Sequence, residues 1–181
     1  MGIKVKNIRM TGTRNSIMQA FFELVNEKDF EKITIQNVTE RAQINRATFY
    51  AHFQDKYELL DEIIGDSAVE LIEKHTQGNY AFNKEQIEQL VYAVFEYLHQ
   101  VKDKCQRSYE TIIPLLRTQM LDALTKHLEE CLRDIYTEEE RSFNASLYAR
   151  IIFEAGYLWG MEKTNLSQQN IAEKVTNLIF K

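Results

Sequence analysis

The chain has 181 residues, 44% hydrophobic and 27% charged, so it is long enough to bury a core and too apolar to be disordered throughout. One proline and six glycines leave few turn signals, which favours an all-α fold. A net charge of −5 argues against nucleic-acid binding over the whole surface. No apolar run is long enough to span a membrane. The first ten residues lack the apolar segment of a secretion signal, so no secretion is predicted.

The charge is unevenly distributed along the chain. Residues 1–60 contain nine Lys and Arg against seven Asp and Glu, whereas residues 61–181 contain thirteen against twenty. A basic front on an acidic body is typical of a protein that meets an anion with one end, although chance unevenness gives the same pattern. The two cysteines are too few for a disulfide framework, and we therefore expect a cytoplasmic protein.

Helical periodicity predicts a first helix over residues 13–27. Thr34 is a suitable N-cap for a second helix, Asn45 for a third of about eight residues, and Asp55 for a fourth. The fourth helix is predicted to run from residue 56 to residue 75, a length of about 30 Å at the rise of an α-helix.

The body of the chain also has helical periodicity. A break at Gly78-Asn79 precedes a helical pattern that begins near Ile87 and another that follows Pro114. Residues 137–140 and 165–167 are predicted to be connections between the later helices. No internal repeat and no low-complexity segment interrupts these helices. The body is therefore predicted to be a helical bundle.

The predicted third helix has two different sides. At 100° per residue, Phe49 and Phe53 lie within about 40° of each other and define a buried side. Ala47, Thr48 and Ala51 lie opposite, where small side chains allow the helix backbone to approach another surface. Two short helices joined by a tight turn, the second with a small polar outer face, are typical of a helix-turn-helix.

This arrangement predicts a set of DNA contacts. Asn45, Arg46 and Thr48 are placed to meet base edges or nearby phosphates in a major groove. Further phosphate contacts are predicted on both walls of the groove and at the starts of the second and fourth helices, where free N–H groups attract anions. These further candidates are Arg14, Thr34, Tyr50, His52 and Lys56. The alternative is that they are ordinary surface residues.

The segment ITIQNVTERAQINRATFYAHFQDKYELLDEII closely resembles the DNA-binding region of TetR-family transcriptional regulators. The resemblance rests on Ile33-Thr34-Ile35, Ala47, Phe49-Tyr50, His52-Phe53 and Lys56, and it covers residues 11–65. It implies a dimeric repressor bound to a palindromic operator, with a linking helix that carries ligand-induced movement to the DNA-binding heads. Asn45 departs from the family pattern, in which a small Ser is common at this position, and Arg46 follows it, so base preference does not transfer.

Together, these observations predict an all-α chain with a three-helix helix-turn-helix domain over residues 1–55, of which residues 1–10 are flexible. A linking helix follows over residues 56–75, and a ligand-binding and dimerisation domain over residues 76–181. We expect the protein to be associated with the bacterial nucleoid when it is bound to DNA.

An aromatic-rich set in the body is a candidate effector pocket, because tyrosines supply both apolar surface and polar groups. The candidates are Tyr92, Phe95, Tyr109, Met120, Phe153 and Tyr157. The alternative interpretation is that these residues are ordinary core. A second alternative for the body is that it binds an accessory protein instead of a small effector.

Gly156 and Gly160 lie one helical turn apart in an apolar helix, where each glycine costs about 1 kcal/mol relative to alanine. Close helix packing offsets that cost, either inside the subunit or across a dimer interface. We expect a homodimer interface that includes these glycines together with Ile171, Val175 and Leu178. No catalytic motif, metal-ligand spacing or cofactor fingerprint is present, which argues against an enzyme and predicts no cofactor.

Overall fold

The computed structural model describes residues 8–64 and 68–181. These residues form α-helices joined by turns and two short 3-10 helices, and they contain no strand. The predicted all-α fold is therefore confirmed. The helices are α1 (Ile8–Glu27), α2 (Ile35–Arg41), α3 (Arg46–Tyr50), α4 (Lys56–Ile64), α5 (Ala68–Thr76), α6 (Lys84–Lys104), α7 (Tyr109–Cys131), α8 (Glu138–Gly160) and α9 (Gln168–Ile179).

Several boundaries differ from the sequence predictions. Helix α1 begins at Ile8, five residues earlier than its periodicity predicts, so the predicted flexible segment lies outside the described residues except for its last three. The linking helix corresponds to α4 and α5, and its residues 65–67 lie outside the described residues. Residues 137–140 are not a connection, because Thr137 is the N-cap of α8 and forms a capping box with Glu140. Residues 165–167 do form a connection, and Ser167 caps α9.

The chain divides into two compact units. The first contains the described residues up to Ile64 together with Lys102–Ile112, and the second contains the described residues from Ala68 to Val101 and Ile113–Lys181. In the first unit, α1 packs against α2 and α4, and α2 packs against α3. Its core is formed by apolar side chains that are almost fully buried, among them Ile17, Phe21, Leu24, Phe30, Ile33, Val38, Phe49, Phe53, Leu59 and Leu60.

The segment Lys102–Ile112 is tied to the first unit through backbone carbonyls at helix ends. Ser108 is buried, and its hydroxyl donates to the carbonyl oxygens of Val25 at 3.1 Å and Lys28 at 3.2 Å. The Lys104 ammonium donates to the carbonyl of Ile64, at the end of α4. Terminal carbonyls of a helix have no partner within the helix, so these side chains complete the ends of α1 and α4.

In the second unit, the buried side of α8 is made largely of small residues. Ala145, Ala149, Gly156 and Gly160 are buried along it. A Cβ added at Gly156 would lie 2.4 Å from Cγ1 of Val94 on α6. Close packing of α8 on α6 within the subunit therefore accounts for Gly156, which is one of the two explanations that the sequence left open.

This packing predicts opposite effects for two glycine substitutions. Gly156→Ala should lower the free energy of unfolding by about 1–3 kcal/mol, because the new methyl group meets the stiff Val94 side chain. Gly12→Ala should raise it by up to about 1 kcal/mol, because Gly12 lies in α1 with nothing within 4 Å of its added Cβ. Chemical denaturation of both variants checks this, and a Gly156→Ala variant at least as stable as wild type would contradict the packing.

Candidate nucleic-acid interface

The turn between α2 and α3 is built by side-chain caps and one left-handed residue. Thr34 accepts the N–H of Asn37 at 3.2 Å, and the N–H of Thr34 donates to the Asn37 side chain at 3.1 Å, which closes a capping box at the start of α2. At the end of α2, Gln43 has φ of 54°. The N–H of Ile44 donates to the Thr39 carbonyl in the pattern of a Schellman motif.

Helix α3 begins at the predicted cap. The side-chain oxygen of Asn45 accepts the N–H of Thr48 at 2.8 Å and its hydroxyl at 3.0 Å. Asn45 and Thr48 therefore use part of their polar capacity to start the helix, and the free group that remains on Asn45 is its NH₂ donor. The base contact predicted for Asn45 is limited to that donor.

The two sides of α3 are as the helical wheel predicts. Phe49 is 0% exposed and Phe53 is 2% exposed, and their ring centroids lie 6.1 Å apart. On the outer side, Arg46 and Ala47 are exposed and Tyr50 is 54% exposed. The small residue beside an exposed arginine and tyrosine allows the helix to approach a groove closely.

Three predicted contact residues on this surface have available polar groups. Among the residues that the structure describes, the side chains of Arg46, Tyr50 and His52 have no hydrogen-bond or ion-pair partner. Arg46 and Tyr50 are exposed, and His52 is half-buried. We call the surface made by Arg46, Ala47, Thr48, Tyr50 and His52 the α3 face. This face offers donors for both base edges and phosphates.

Arg14 has polar partners inside the unit. Its guanidinium donates to the His52 carbonyl at 3.2 Å, forms a salt bridge with Glu62 at 2.8 Å and lies 4.3 Å from the centre of the Phe53 ring. The side chain connects α1 to the end of the α3 segment and to α4. Arg14 thus holds the α3 segment in place, and a DNA contact through its remaining N–H groups stays a prediction.

Lys56 also has a role inside the unit. Its ammonium group donates to three backbone carbonyls, those of Phe30 at 2.9 Å, Glu31 at 3.3 Å and Ile33 at 3.1 Å. An ammonium group has three donors, so all are used. Burial lowers the pKa of Lys56, and the Glu31 carboxylate offsets part of this effect. The phosphate contact predicted for Lys56 is corrected, because its charge completes the 3-10 turn that precedes α2.

The start of α4 is capped as well. Asp55 accepts the N–H groups of Tyr57 at 2.8 Å and Glu58 at 3.0 Å. The Glu58 carboxylate accepts the N–H of Gln54, one residue before the position that a capping box would use. These bonds occupy N–H groups that the sequence assigned to a phosphate.

The candidate effector residues are divided between the two units. Tyr109 belongs to the first unit, whereas the other five belong to the second. Phe95, Met120 and Phe153 are at most 2% exposed and form part of the core, which is the alternative interpretation that the sequence left open. Tyr92 and Tyr157 are half-buried, each with its ring against a neighbouring phenylalanine.

Three of the five candidate dimer residues, Ile171, Val175 and Leu178, line an apolar groove on α8 and α9. Ile171 and Val175 are buried, Leu178 is 54% exposed, and a groove of about 410 Å³ extends from them to Leu158 on α8. Gly156 and Gly160 are buried on the inner side of α8. Along the outer side of α8, exposed leucine and phenylalanine side chains recur at helical spacing, at Phe143, Leu147 and Leu158.

Across residues 8–64 and 68–181, no group of three or more His, Cys, Asp or Glu side chains is placed to hold a metal ion. No described helix combines the length and the apolarity that crossing a membrane requires.

The fold and the α3 face define a helix-turn-helix DNA-binding protein. Residues 17–63 match the family model described as bacterial regulatory proteins, tetR family. Over the whole chain, the fold is similar to that of a TetR transcriptional regulator from Streptococcus agalactiae 2603V, with a TM-score of 0.69, 22% identity and 97% of each chain covered. The helix-turn-helix region of the chain therefore matches the TetR family of bacterial regulatory proteins, and the whole chain shares the fold of a TetR transcriptional regulator.

Two curated relatives match part of the chain. An uncharacterized HTH-type transcriptional regulator, YxbF of Bacillus subtilis, is 41% identical over 69 residues, which are 38% of this chain and 18% of that protein. The dhaKLM operon transcriptional activator DhaS of Lactococcus lactis is 35% identical over 60 residues, 33% of this chain and 32% of that protein. The match thus spans less than a third of the length of either relative.

The corrected role of Lys56 leads to a prediction. Lys56→Met should lower the free energy of unfolding by about 1.5–3 kcal/mol, because three carbonyls lose a charged donor. In the protein that remains folded, the slope of log DNA affinity against log salt should not change, because no phosphate contact is lost. Lys28→Met is the matched control, since the Lys28 ammonium has no partner among the described residues. A salt slope that falls by about one in Lys56→Met would instead show that Lys56 contacts a phosphate.

Proposed function

We propose that the protein is a sequence-specific transcriptional regulator that binds a palindromic operator as a homodimer. The observation that carries the proposal is the α3 face, whose Arg46, Tyr50 and His52 side chains have no hydrogen-bond or ion-pair partner among the described residues. On a helix that is anchored by two buried phenylalanines, such donors suit a recognition helix in a major groove.

The groove on α8 and α9 supports the homodimer. An exposed apolar stripe of this kind on a helical body favours contact with another protein surface. A second copy fits because a two-fold axis places the same stripe on both sides of the interface. A dimer also carries two α3 faces, one for each half of a palindrome.

We further propose that a small-molecule effector binds in the second unit and releases the operator, which makes the protein a repressor. An effector changes operator affinity only by binding one conformation better than the other. A second candidate is an activator, and the similarity to DhaS, whose name describes a transcriptional activator, favours it. In that case the second unit binds either an effector or an accessory protein.

The α3 face predicts two kinds of effect on DNA binding. The operator is first selected from a random duplex library with wild-type protein. Arg46→Ala should then lose about 1–3 kcal/mol of discrimination at one position of each half-site, because a bidentate guanine contact carries sequence information. Tyr50→Phe should weaken all duplexes about equally, by about 1 kcal/mol, because its hydroxyl bonds a phosphate.

The control for these variants is Tyr57→Phe, whose ring is 49% exposed and lies on α4 instead of α3. It should leave operator affinity unchanged. Affinities are measured by fluorescence anisotropy on the operator and on variants of each half-site. Wild-type affinity in both α3 variants would refute the assignment of the α3 face, and equal weakening on every duplex would make Arg46 a phosphate contact.

The groove and the exposed apolar side chains on the outer side of α8 predict the oligomeric state. The double substitution Leu147→Glu and Leu158→Glu should convert the dimer to a monomer, because two charged side chains per subunit would be buried without partners. Leu115→Glu is the matched control, since Leu115 is 42% exposed on α7. Light scattering after size exclusion measures the mass. A wild-type monomer, or a dimer that survives the double substitution, would contradict this interface.

A further inference from the structure

A cleft of about 350 Å³ lies within the second unit, at a place that neither the DNA-binding surface nor the α8–α9 groove uses. Its volume is in the range of small-molecule sites, about 300–1,000 Å³. It is lined by residues of α5, by Tyr80 in the connection that follows α5, and by residues of α7 that include His127. The aromatic candidates predicted from the sequence take no part in it.

His127 is the unusual member of this lining. Its side chain is 93% buried (7% exposed), and its Nε2 atom has no hydrogen-bond partner among the described residues. Buried polar atoms are nearly always paired in folded proteins, so an unpaired one in the wall of a cleft indicates a place where a ligand completes the bonding.

The protonation state of His127 defines what that ligand must offer. Burial lowers the pKa of His127, and a hydrogen bond to the backbone of Asn79 offsets part of the shift. The ring is therefore neutral near pH 7, with a single N–H. In the tautomer that carries its N–H on Nδ1, toward the Asn79 backbone, the unpaired Nε2 is an acceptor. The ligand must bring a donor.

The rest of the lining indicates a flat, cationic ligand. The Tyr80 ring lies 4.7 Å from the His127 ring at 31° and is 48% exposed, so it offers an aromatic surface beside the unpaired nitrogen. Val69, Ile72 and Ala123 supply apolar wall. Glu73 and Glu129 also line the cleft, and neither has an ion-pair partner among the described residues, whereas Glu130 pairs with Arg133. Lys126 is the one cation in the lining.

We propose that this cleft binds a small organic cation, a protonated amine with a flat apolar body. Its N–H donates to Nε2 of His127, its body lies against Tyr80, and its charge is balanced by Glu73 and Glu129. The proposed binding site rests on the cleft alone. Its consequence, that the amine controls operator affinity, rests on the proposed function.

The test is calorimetric titration of the full chain without DNA. The probes are tryptamine, 2-phenylethylamine and benzamidine at pH 7.5, where each is protonated. Saturable one-to-one binding per subunit of at least one probe is expected. No saturable binding of any probe up to about 10 mM, far above the range of specific small-molecule sites, would overturn the proposal.

Variants separate the two interactions. His127→Leu should weaken the bound probe about tenfold or more, because a hydrogen bond from a charged donor is lost, and His127→Gln should retain more affinity because it keeps an acceptor. The double substitution Glu73→Gln and Glu129→Gln should weaken it about threefold or more through loss of charge. Glu173→Gln, an exposed glutamate on α9, is the matched control and should bind as wild type does.

Modified probes keep the test valid if a His127 variant fails to fold. If 2-phenylethylamine binds the wild-type chain, its N,N,N-trimethyl derivative keeps the charge and loses every N–H donor, so it should bind more weakly and should not respond to His127→Leu. Equal binding of the two compounds to wild type would overturn the role of His127.

Thermal unfolding supplies a second readout of binding. A probe that binds the cleft should raise the melting temperature of the wild-type protein, and the rise should be smaller in His127→Leu, whatever the effect of that substitution on the free protein. A lower melting temperature of the free His127→Leu protein together with unchanged amine binding would make His127 a structural residue and overturn the proposal.

Operator affinity is measured separately, so the two proposals fail in different ways. A chain that binds its operator but no amine would overturn only the proposed amine site. A chain that binds an amine but no specific DNA would overturn only the proposed regulatory function.

Discussion

The burial of Phe49 and Phe53 determines which side of α3 faces away from the protein, and the DNA-binding surface depends on it. With both rings inside the core, the helix has one rotational setting, and Arg46, Ala47 and Tyr50 are placed outside by the helical repeat alone. Five residues of helix would be marginal in isolation, so tertiary packing is what makes α3 a helix.

Long cationic side chains secure this setting from inside the unit. Arg14 lies against the Phe53 ring and bonds the His52 carbonyl, which holds the end of the α3 segment. The Lys56 ammonium donates to three backbone carbonyls just before α2, which stabilises the start of the helix-turn-helix. Positive charge in this unit thus serves two purposes: part of it maintains the shape of the surface, and Arg46 is left available for an anion.

Local patterns made much of this predictable. The wheel positions of the two phenylalanines gave the inner side of α3 correctly, and Thr34 and Asn45 are the caps that their residue types suggested. Both depend only on neighbours within one helical turn, which a sequence displays directly.

The features that the sequence did not predict depend on residues far apart in the chain or on residue types that usually mark a different structure. Lys56 meets Phe30, 26 residues away, and no spacing rule covers such a contact between a flexible side chain and a backbone carbonyl. The tight turn between α2 and α3 lies where it is predicted, but the left-handed conformation of Gln43 within it has no sequence signal, because glycine is the residue that marks such a position. Pro114 lies inside α7, although a proline usually suggests a break, and its cost is limited to one missing backbone donor on an exposed side of the helix.

Hydrogen exchange on wild-type protein, with and without an excess of its selected duplex, tests the central claim most directly. The account predicts that slowed exchange is concentrated in residues 34–37 and 46–52, where the start of α2 and the α3 face meet the DNA. Protection confined to α8 and α9, with α3 exchanging as in the free protein, would contradict it.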